Sequence, residues 1–258
     1  MLDHTKHSAK PRLLALFSHP DDESFLAGGT LAKYANMGWA VYLVCATYGE
    51  SGQRGEYEDL SVNEFANIRR AELETACKHL RIHSPMFLDC ADRAVGGICL
   101  NSATKQVLHI MRRLEPDVVI TFGPDGISGH PDHTALSRIV SGAFWAATVH
   151  AFRGHRRRAS LYYALRSSSV PEGCRQNERI EPPRLTTTID IAEVGEQKLA
   201  AIRSHRGQRH LQPSSETAVQ AILSTPEHFH RAYPPIGETA LETELLLPRS
   251  RLGAQQVA

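Results

Sequence analysis

Long apolar runs, a charge imbalance and paired cysteines are all missing from this 258-residue chain. The longest apolar stretch, around residues 139–152, is interrupted by Ser141 and His150 and is too short to span a bilayer. The formal net charge is +1, so no global field points to nucleic acid or to a membrane surface. The five cysteines, Cys45, Cys77, Cys90, Cys99 and Cys174, are odd in number and show no CxxC spacing. Buried thiols in a reducing compartment fit this better than a disulfide frame or a cysteine-based zinc site. The N-terminal MLDHTKHSAKPR has no apolar core of the kind a secretory signal carries, and a soluble, cytoplasmic protein is expected. Neither an internal repeat nor a low-complexity block is present. The first βα turn lacks GxGxxG, which removes the dinucleotide reading that Gly28-Gly29 invites.

What is there is ordinary in bulk: 41% hydrophobic and 22% charged residues, enough for a core without disulfide help. Four short apolar runs, Leu13–Phe17, Ala40–Thr47, Met86–Leu88 and Asp117–Phe122, each precede a helical pattern. Those helices are expected at Gly29–Asn36, Val62–Leu80, Ala103–Leu114 and His133–Val149. Such βα units predict an α/β fold in three layers with a mostly parallel sheet. Further on, strands are expected at Leu161–Leu165 and Arg184–Ile191, and helices at Glu193–His205 and Ser214–Leu223. The connector 166–183 separates the two strands. The reading is one domain over residues 1–258, with a core of about 12–208 and a polar tail of about 249–258.

The chemistry concentrates after the first and fourth runs. The first ends in Ser18-His19-Pro20-Asp21-Asp22-Glu23, and the fourth leads to Gly129-His130-Pro131-Asp132-His133. Open α/β sheets place ligands just past the carboxyl ends of their strands, and a 3-2-1-4 strand order would bring these two ends together. A catalytic zinc takes imidazole nitrogen and carboxylate oxygen and keeps one position open. His19 and Asp22 can reach one ion from the same turn, and His133 can supply the third ligand. Asp21 is then placed to act as a general base, His130 to face a developing oxyanion or leaving nitrogen, and Asp132 to orient an imidazole. A lone HPDD or HPDH can equally be a helix-capping turn. It is their pairing that points to metal. Of the fourteen histidines, His4, His7, His79, His83, His155 and His228 read as surface residues.

The paired motifs resemble the LmbE-like (PIG-L) family of zinc-dependent N-acetylglucosaminyl de-N-acetylases. The resemblance covers the Rossmann-like half, Arg12 to about Val149, and extends more weakly to about Gln208. It implies an LmbE-like fold, with His19, Asp22 and His133 as zinc ligands, Asp21 as general base and His130 as stabiliser of the tetrahedral intermediate. Three weaker matches follow. Arg69 stands three before Glu72, like the family's Arg-x-x-Glu segment, whose arginine can contact substrate; Arg70 is its rival, and a solvated helix face the plain alternative. Tyr48-Gly49-Glu50-Ser51-Gly52 resembles the loop bordering the family's site. The segment Lys198 to Gln208 is similar to one usually ending His-x-Ser-Gln; here Gly207 replaces the serine, and His205 and Gln208 are either site-edge residues or surface caps of that helix.

The expected function is hydrolysis of an N-acetyl or other N-acyl group from an amino sugar or its conjugate, with one Zn²⁺ per chain. Fe²⁺ or Co²⁺ would suit the same ligands. The loops Tyr48–Leu60 and Cys90–Asn101 are expected to line the mouth. No nucleic-acid or membrane partner is expected, and homo-oligomerisation is allowed. The basic run Arg153–Arg158 reads as a solvated charge run, without the aromatic pattern of a nucleic-acid binder. Two rivals stand: another metal-dependent amidase or phosphoesterase, and a non-catalytic, metal-containing sugar-binding module.

Overall fold

A computed structural model of the chain describes residues 10–97, 100–151, 159–166 and 183–246. His4, His7, Cys99, Cys174, the basic run with His155, most of the connector and the polar tail lie outside the described residues.

The strands are β1 (Arg12–Phe17), β2 (Ala40–Cys45), β3 (Met86–Phe87), β4 (Val118–Phe122), β5 (Ser160–Ala164), β6 (Thr187–Ile189) and β7 (Glu227–Tyr233). They form one sheet in the order β3-β2-β1-β4-β5-β7-β6. β1 to β5 are parallel; β7 runs against β5, and β6 against β7. Leu13 to Phe17 are all fully buried. An unbroken apolar run of this kind is what a central parallel strand, covered on both faces, requires.

The helices are α1 (Asp22–Leu26), α2 (Gly28–Asn36), α3 (Val62–His79), α4 (Leu100–Leu114), α5 (Gly126–Gly129), α6 (Pro131–Ala151), α7 (Gly195–Ser204) and α8 (Glu216–Ser224). α4 and α6 pack together on one side, where α6 also meets β1 and β4; α7 gathers α1, α2, α3 and α8 into a second group. The sheet separates two helical layers, as expected. α3 starts in a capping box: the Ser61 hydroxyl accepts from the Glu64 N–H, and the Glu64 carboxylate accepts from the Ser61 N–H. No helix among the described residues is long and apolar enough to cross a membrane. Cys45, Cys77 and Cys90 are buried and in no disulfide.

The second half departs further from the sequence reading. The strand expected at Arg184–Ile191 shortens to Thr187–Ile189. β7 was not anticipated, because its EHFHRAY composition is polar. It is nonetheless a strand of alternating burial, with Glu227, Phe229 and Arg231 turned inward. Those inward charges have partners: Arg231 Nη1 lies 2.6 Å from Glu242 Oε1, and Lys198 Nζ 2.7 Å from Glu227 Oε1.

Glu227 also accepts from the N–H groups of Gly29 (2.9 Å) and Thr30 (2.7 Å), so it caps the N-terminus of α2 from a strand near the other end of the chain. Both Lys198 and Glu227 are buried. Removing one member of such a pair strands the other charge. Glu227→Ala is therefore expected to cost about 3–5 kcal/mol in urea unfolding. A loss below about 1 kcal/mol would show that the pair is relaxed by water or rearrangement.

Candidate metal centre

The register Leu13↔Val118, Leu14↔Val119, Ala15↔Ile120 sets the carboxyl ends of β1 and β4 side by side. β1 lies between β2 and β4, so this is the topological switch point of the sheet. The loop after β1 carries His19, Asp21 and Asp22. The turn after β4 and the start of α6 carry His130, Asp132 and His133.

Three of these side chains converge. His19 Nδ1 lies 3.2 Å from His133 Nε2 and 3.4 Å from Asp22 Oδ2, and His133 Nε2 lies 3.4 Å from Asp22 Oδ1. Donors on a tetrahedral ion at about 2.0–2.2 Å stand roughly 3.3–3.6 Å apart. The spacing fits zinc. The hydrogen bonds behind the rings agree. His133 Nδ1 is 3.1 Å from the Gly126 carbonyl, which can only accept, so Nδ1 bears the proton and Nε2 offers a lone pair. His19 Nε2 faces Asp92 Oδ1 at 3.1 Å and Asp132 Oδ2 at 3.4 Å, so Nε2 bears a proton and Nδ1 is the nitrogen left to face a metal. His19 Nδ1 and His133 Nε2 are thus the nitrogens that face Asp22.

A second set of possible donors, His19 with Asp92 and Asp132, lies close by. His19, His130 and His133 make a further candidate set, and the carboxylates of Asp92 and Asp132 already have partners. Asp132 is buried and already accepts from the N–H groups of Arg93 (2.6 Å) and Val95 (3.1 Å), while Asp92 accepts from the Ser51 N–H at 2.9 Å. The imidazole that Asp132 faces is that of His19. Nothing in the sequence singles out Asp92, which shares its loop with Asp89; only its nearness to His19 reveals it.

Electrostatics follow the packing. Burial opposes charge on His19, but hydrogen bonds to Asp132, Asp22 and Asp92 outweigh it and raise the ring well above its ordinary pKa. Burial lowers His133 to about 4 despite the Asp22 charge. For Asp22 burial raises the pKa, and the facing His133 and His19 more than reverse it, leaving a strongly acidic carboxyl. For Asp21 burial prevails: its carboxyl is raised to about 6, against the Arg69 charge and with help from Asp22. His130 falls below its ordinary value through burial and the His19 charge. Its Nδ1 accepts from the Asp132 N–H at 3.2 Å, so the neutral ring carries its proton on Nε2.

Arg69 is buried rather than on a solvated face. Its guanidinium donates to the Gly49 carbonyl at 2.8 Å, to the Pro20 carbonyl, and to Asp21 Oδ2 at 3.1 Å. Gly49, with φ 66°, leaves room for it; a Cβ there would collide with Nη1. Arg70, its rival, is exposed and paired with Glu74. A cavity of about 270 Å³ opens over the triad. Ser51, Gly52, Asp92 and Arg93 form a polar wall from the two expected loops, and Phe25, Leu26, Ile127 and Leu211 an apolar one. Ile127 sits at φ 64°, a strained conformation for a β-branched residue, at the rim of the site. Gln208 lines the cavity; His205 is fully buried, neither at its edge nor on the surface.

This fold with its clustered histidines and aspartates has the makings of a metal-dependent enzyme. The chain belongs to the PIG-L family, whose model, described as GlcNAc-PI de-N-acetylase, matches residues 14–144. It is an N-deacetylase of that family, a hydrolase of amide bonds. The 1D-myo-inositol 2-acetamido-2-deoxy-alpha-D-glucopyranoside deacetylase of Rhodococcus erythropolis is 32% identical, over 92% of this chain and 97% of that protein. Among solved structures, N,N'-diacetylchitobiose deacetylase from Pyrococcus horikoshii is similar at TM-score 0.66 and 23% identity, covering 86% of this chain and 84% of its own. GalB, the 4-carboxy-2-hydroxymuconate hydratase of Pseudomonas putida, reaches TM-score 0.69 at 20% identity, covering 88% and 98%. A hydratase and a deacetylase share this fold, so the fold alone does not choose the chemistry.

Asp92→Asn keeps the size of the group behind His19 and removes its charge. Metal affinity, measured by chelator competition, is expected to fall about 10- to 100-fold. Unchanged affinity would mean that Asp132 alone suffices to hold the ring.

Proposed function

We propose that this deacetylase removes an N-acetyl or related N-acyl group from an amino sugar or a small sugar conjugate, with one zinc ion on His19, Asp22 and His133. The observation that carries the reading is the convergence of His19 Nδ1, His133 Nε2 and the Asp22 carboxylate within 3.2–3.4 Å of one another. A divalent ion held there supplies Lewis acidity toward water and toward an amide carbonyl.

The protein groups divide the remaining work. Asp21 accepts the proton of the attacking water, and its raised carboxyl pKa suits it to hold that proton and pass it to the departing amine. His130 presents Nε2–H to the carbonyl oxygen as negative charge develops there. Asp132 and Asp92 act through His19 rather than on substrate. Arg69 holds the Asp21 carboxylate and the Pro20 carbonyl, and supports the base from beneath.

The cavity bounds the substrate. About 270 Å³ is at the small end for ligand pockets, which suits one sugar ring with its acyl group better than a polymer. The polar wall offers partners for sugar hydroxyls. The relative from Rhodococcus erythropolis is named for an acetamido-glucopyranoside of inositol, and that chemistry, a monosaccharide amide on a polyol, is the substrate class assigned here.

Asp21→Asn is expected to bind zinc as the parent does and to lose at least about 100-fold in kcat. The assay is acetate release from N-acetylglucosaminyl conjugates, with metal content measured on the same sample. Near-normal turnover by the zinc-loaded variant removes Asp21 from the role of base. Phosphate release from sugar phosphates without acetate release would favour the phosphoesterase rival, and a zinc-loaded protein inert toward a broad panel of N-acyl sugars the binding module.

A further inference from the structure

Asp21 holds a backbone conformation that few side-chain-bearing residues adopt, with φ 125° and ψ −32°. A residue of this kind costs on the order of 1–3 kcal/mol and persists only where its surroundings over-determine it. Arg69 restrains the side chain. Arg69 also holds the carbonyl end of the Pro20–Asp21 peptide, and the other end, the Asp21 N–H, donates to Glu23 Oε2 at 3.0 Å. Glu23 is buried, and its other oxygen, Oε1, accepts from the Ser24 hydroxyl and faces His205 Nε2 at 2.9 Å. His205 lies 182 residues further along the chain, at the carboxyl end of α7, and is fully buried.

The segment around His205 is itself tied down. The Gly207 N–H donates to Glu72 Oε1 at 2.9 Å, Glu72 lies on α3 three residues beyond Arg69, and Gln208 Nε2 donates to the Gln53 carbonyl at 2.9 Å. The C-terminal half therefore reaches under the loop after β1 and ends on the peptide N–H of one residue. None of these bonds touches the converging donor atoms of His19, Asp22 or His133.

We infer that Glu23 and His205 are a positioning pair, which hold the Asp21 backbone in its strained turn and so aim its carboxylate. The inference rests on Asp21 being the base. His205 acts as a donor that fixes the Glu23 carboxylate, and Glu23 acts on Asp21 through its amide. Neither group touches substrate, and neither moves a proton in the reaction.

The test compares His205→Leu, which removes the donor, with His205→Gln, whose side-chain N–H can take the place of Nε2–H. Zinc-loaded His205→Leu is expected to lose about ten- to a hundredfold in kcat, the scale of a small misplacement of a reacting group, with KM and zinc affinity within about threefold. His205→Gln is expected to recover most of that loss. Hydrogen exchange, read without turnover, should show the Asp21 amide less protected in His205→Leu. The double variant Asp21→Asn/His205→Leu should be no slower than Asp21→Asn, since both act through one carboxylate. If His205→Leu does not fold, Glu23→Gln, which leaves one acceptor oxygen for the three donors Asp21 N–H, Ser24 Oγ–H and His205 Nε2–H, takes its place with the same expectations.

The pair is merely structural if the folded variant keeps kcat within about twofold, if its loss falls on zinc affinity, or if the double variant multiplies the two losses. A fully active Asp21→Asn would instead refute the assignment of the base, and a slow Asp21→Asn beside a normal His205→Leu would refute this inference alone.

Discussion

Two imidazoles and a carboxylate share an ion only when each ring turns a lone pair, not an N–H, toward the common point. That condition organises much of this protein. For His133 the Gly126 carbonyl behind Nδ1 meets it, and for His19 the carboxylates of Asp92 and Asp132 behind Nε2 leave Nδ1 as the inward nitrogen. Asp132 in turn is held by two backbone N–H groups of the loop after β3. The parallel pairing of β1 with β4 brings the two halves of the donor set within reach.

The same architecture treats two neighbouring carboxylates in opposite ways. Asp22 faces both imidazoles, which drive its pKa down; Asp21, one residue away, is buried, and burial drives its pKa up against the Arg69 and His205 charges. Adjacent residues reach such different surroundings because the chain kinks between them, at the positive φ of Asp21. The turn at that residue thus sends two neighbouring carboxyl groups into opposite surroundings. Buried partners support it from above and below: Arg69 on the side chain, and Glu23 on the amide.

This arrangement also explains why the second half of the chain matters to a site built in the first. α7 packs on α1, α2 and α3. Its end delivers His205 to Glu23, Gly207 to Glu72 and Gln208 to the cavity wall. Glycine at position 207 is used directly here. Its N–H serves Glu72, and a Cβ would stand 3.1 Å from the Phe65 ring and 3.2 Å from Glu72 Oε2.

Much of the core was legible because it is written locally. Leu13–Phe17 and Val118–Phe122 are continuous apolar runs, as strands buried on both faces must be. His19, Asp21 and Asp22 share one turn, and His130, Asp132 and His133 another, so each half of the donor set could be read as a short motif. Other features had no local mark. β7 hid behind charges whose partners, Lys198 and Glu242, come from other elements, and Asp92 shares an irregular loop with Asp89. Which nitrogen of each histidine faces inward, and whether His205 caps a surface helix or lies under the site, were likewise decided by tertiary structure. Periodicity and short motifs are properties of neighbouring residues. Tautomers, burial and the support of a strained peptide come from contacts between distant ones, and only the folded chain makes those.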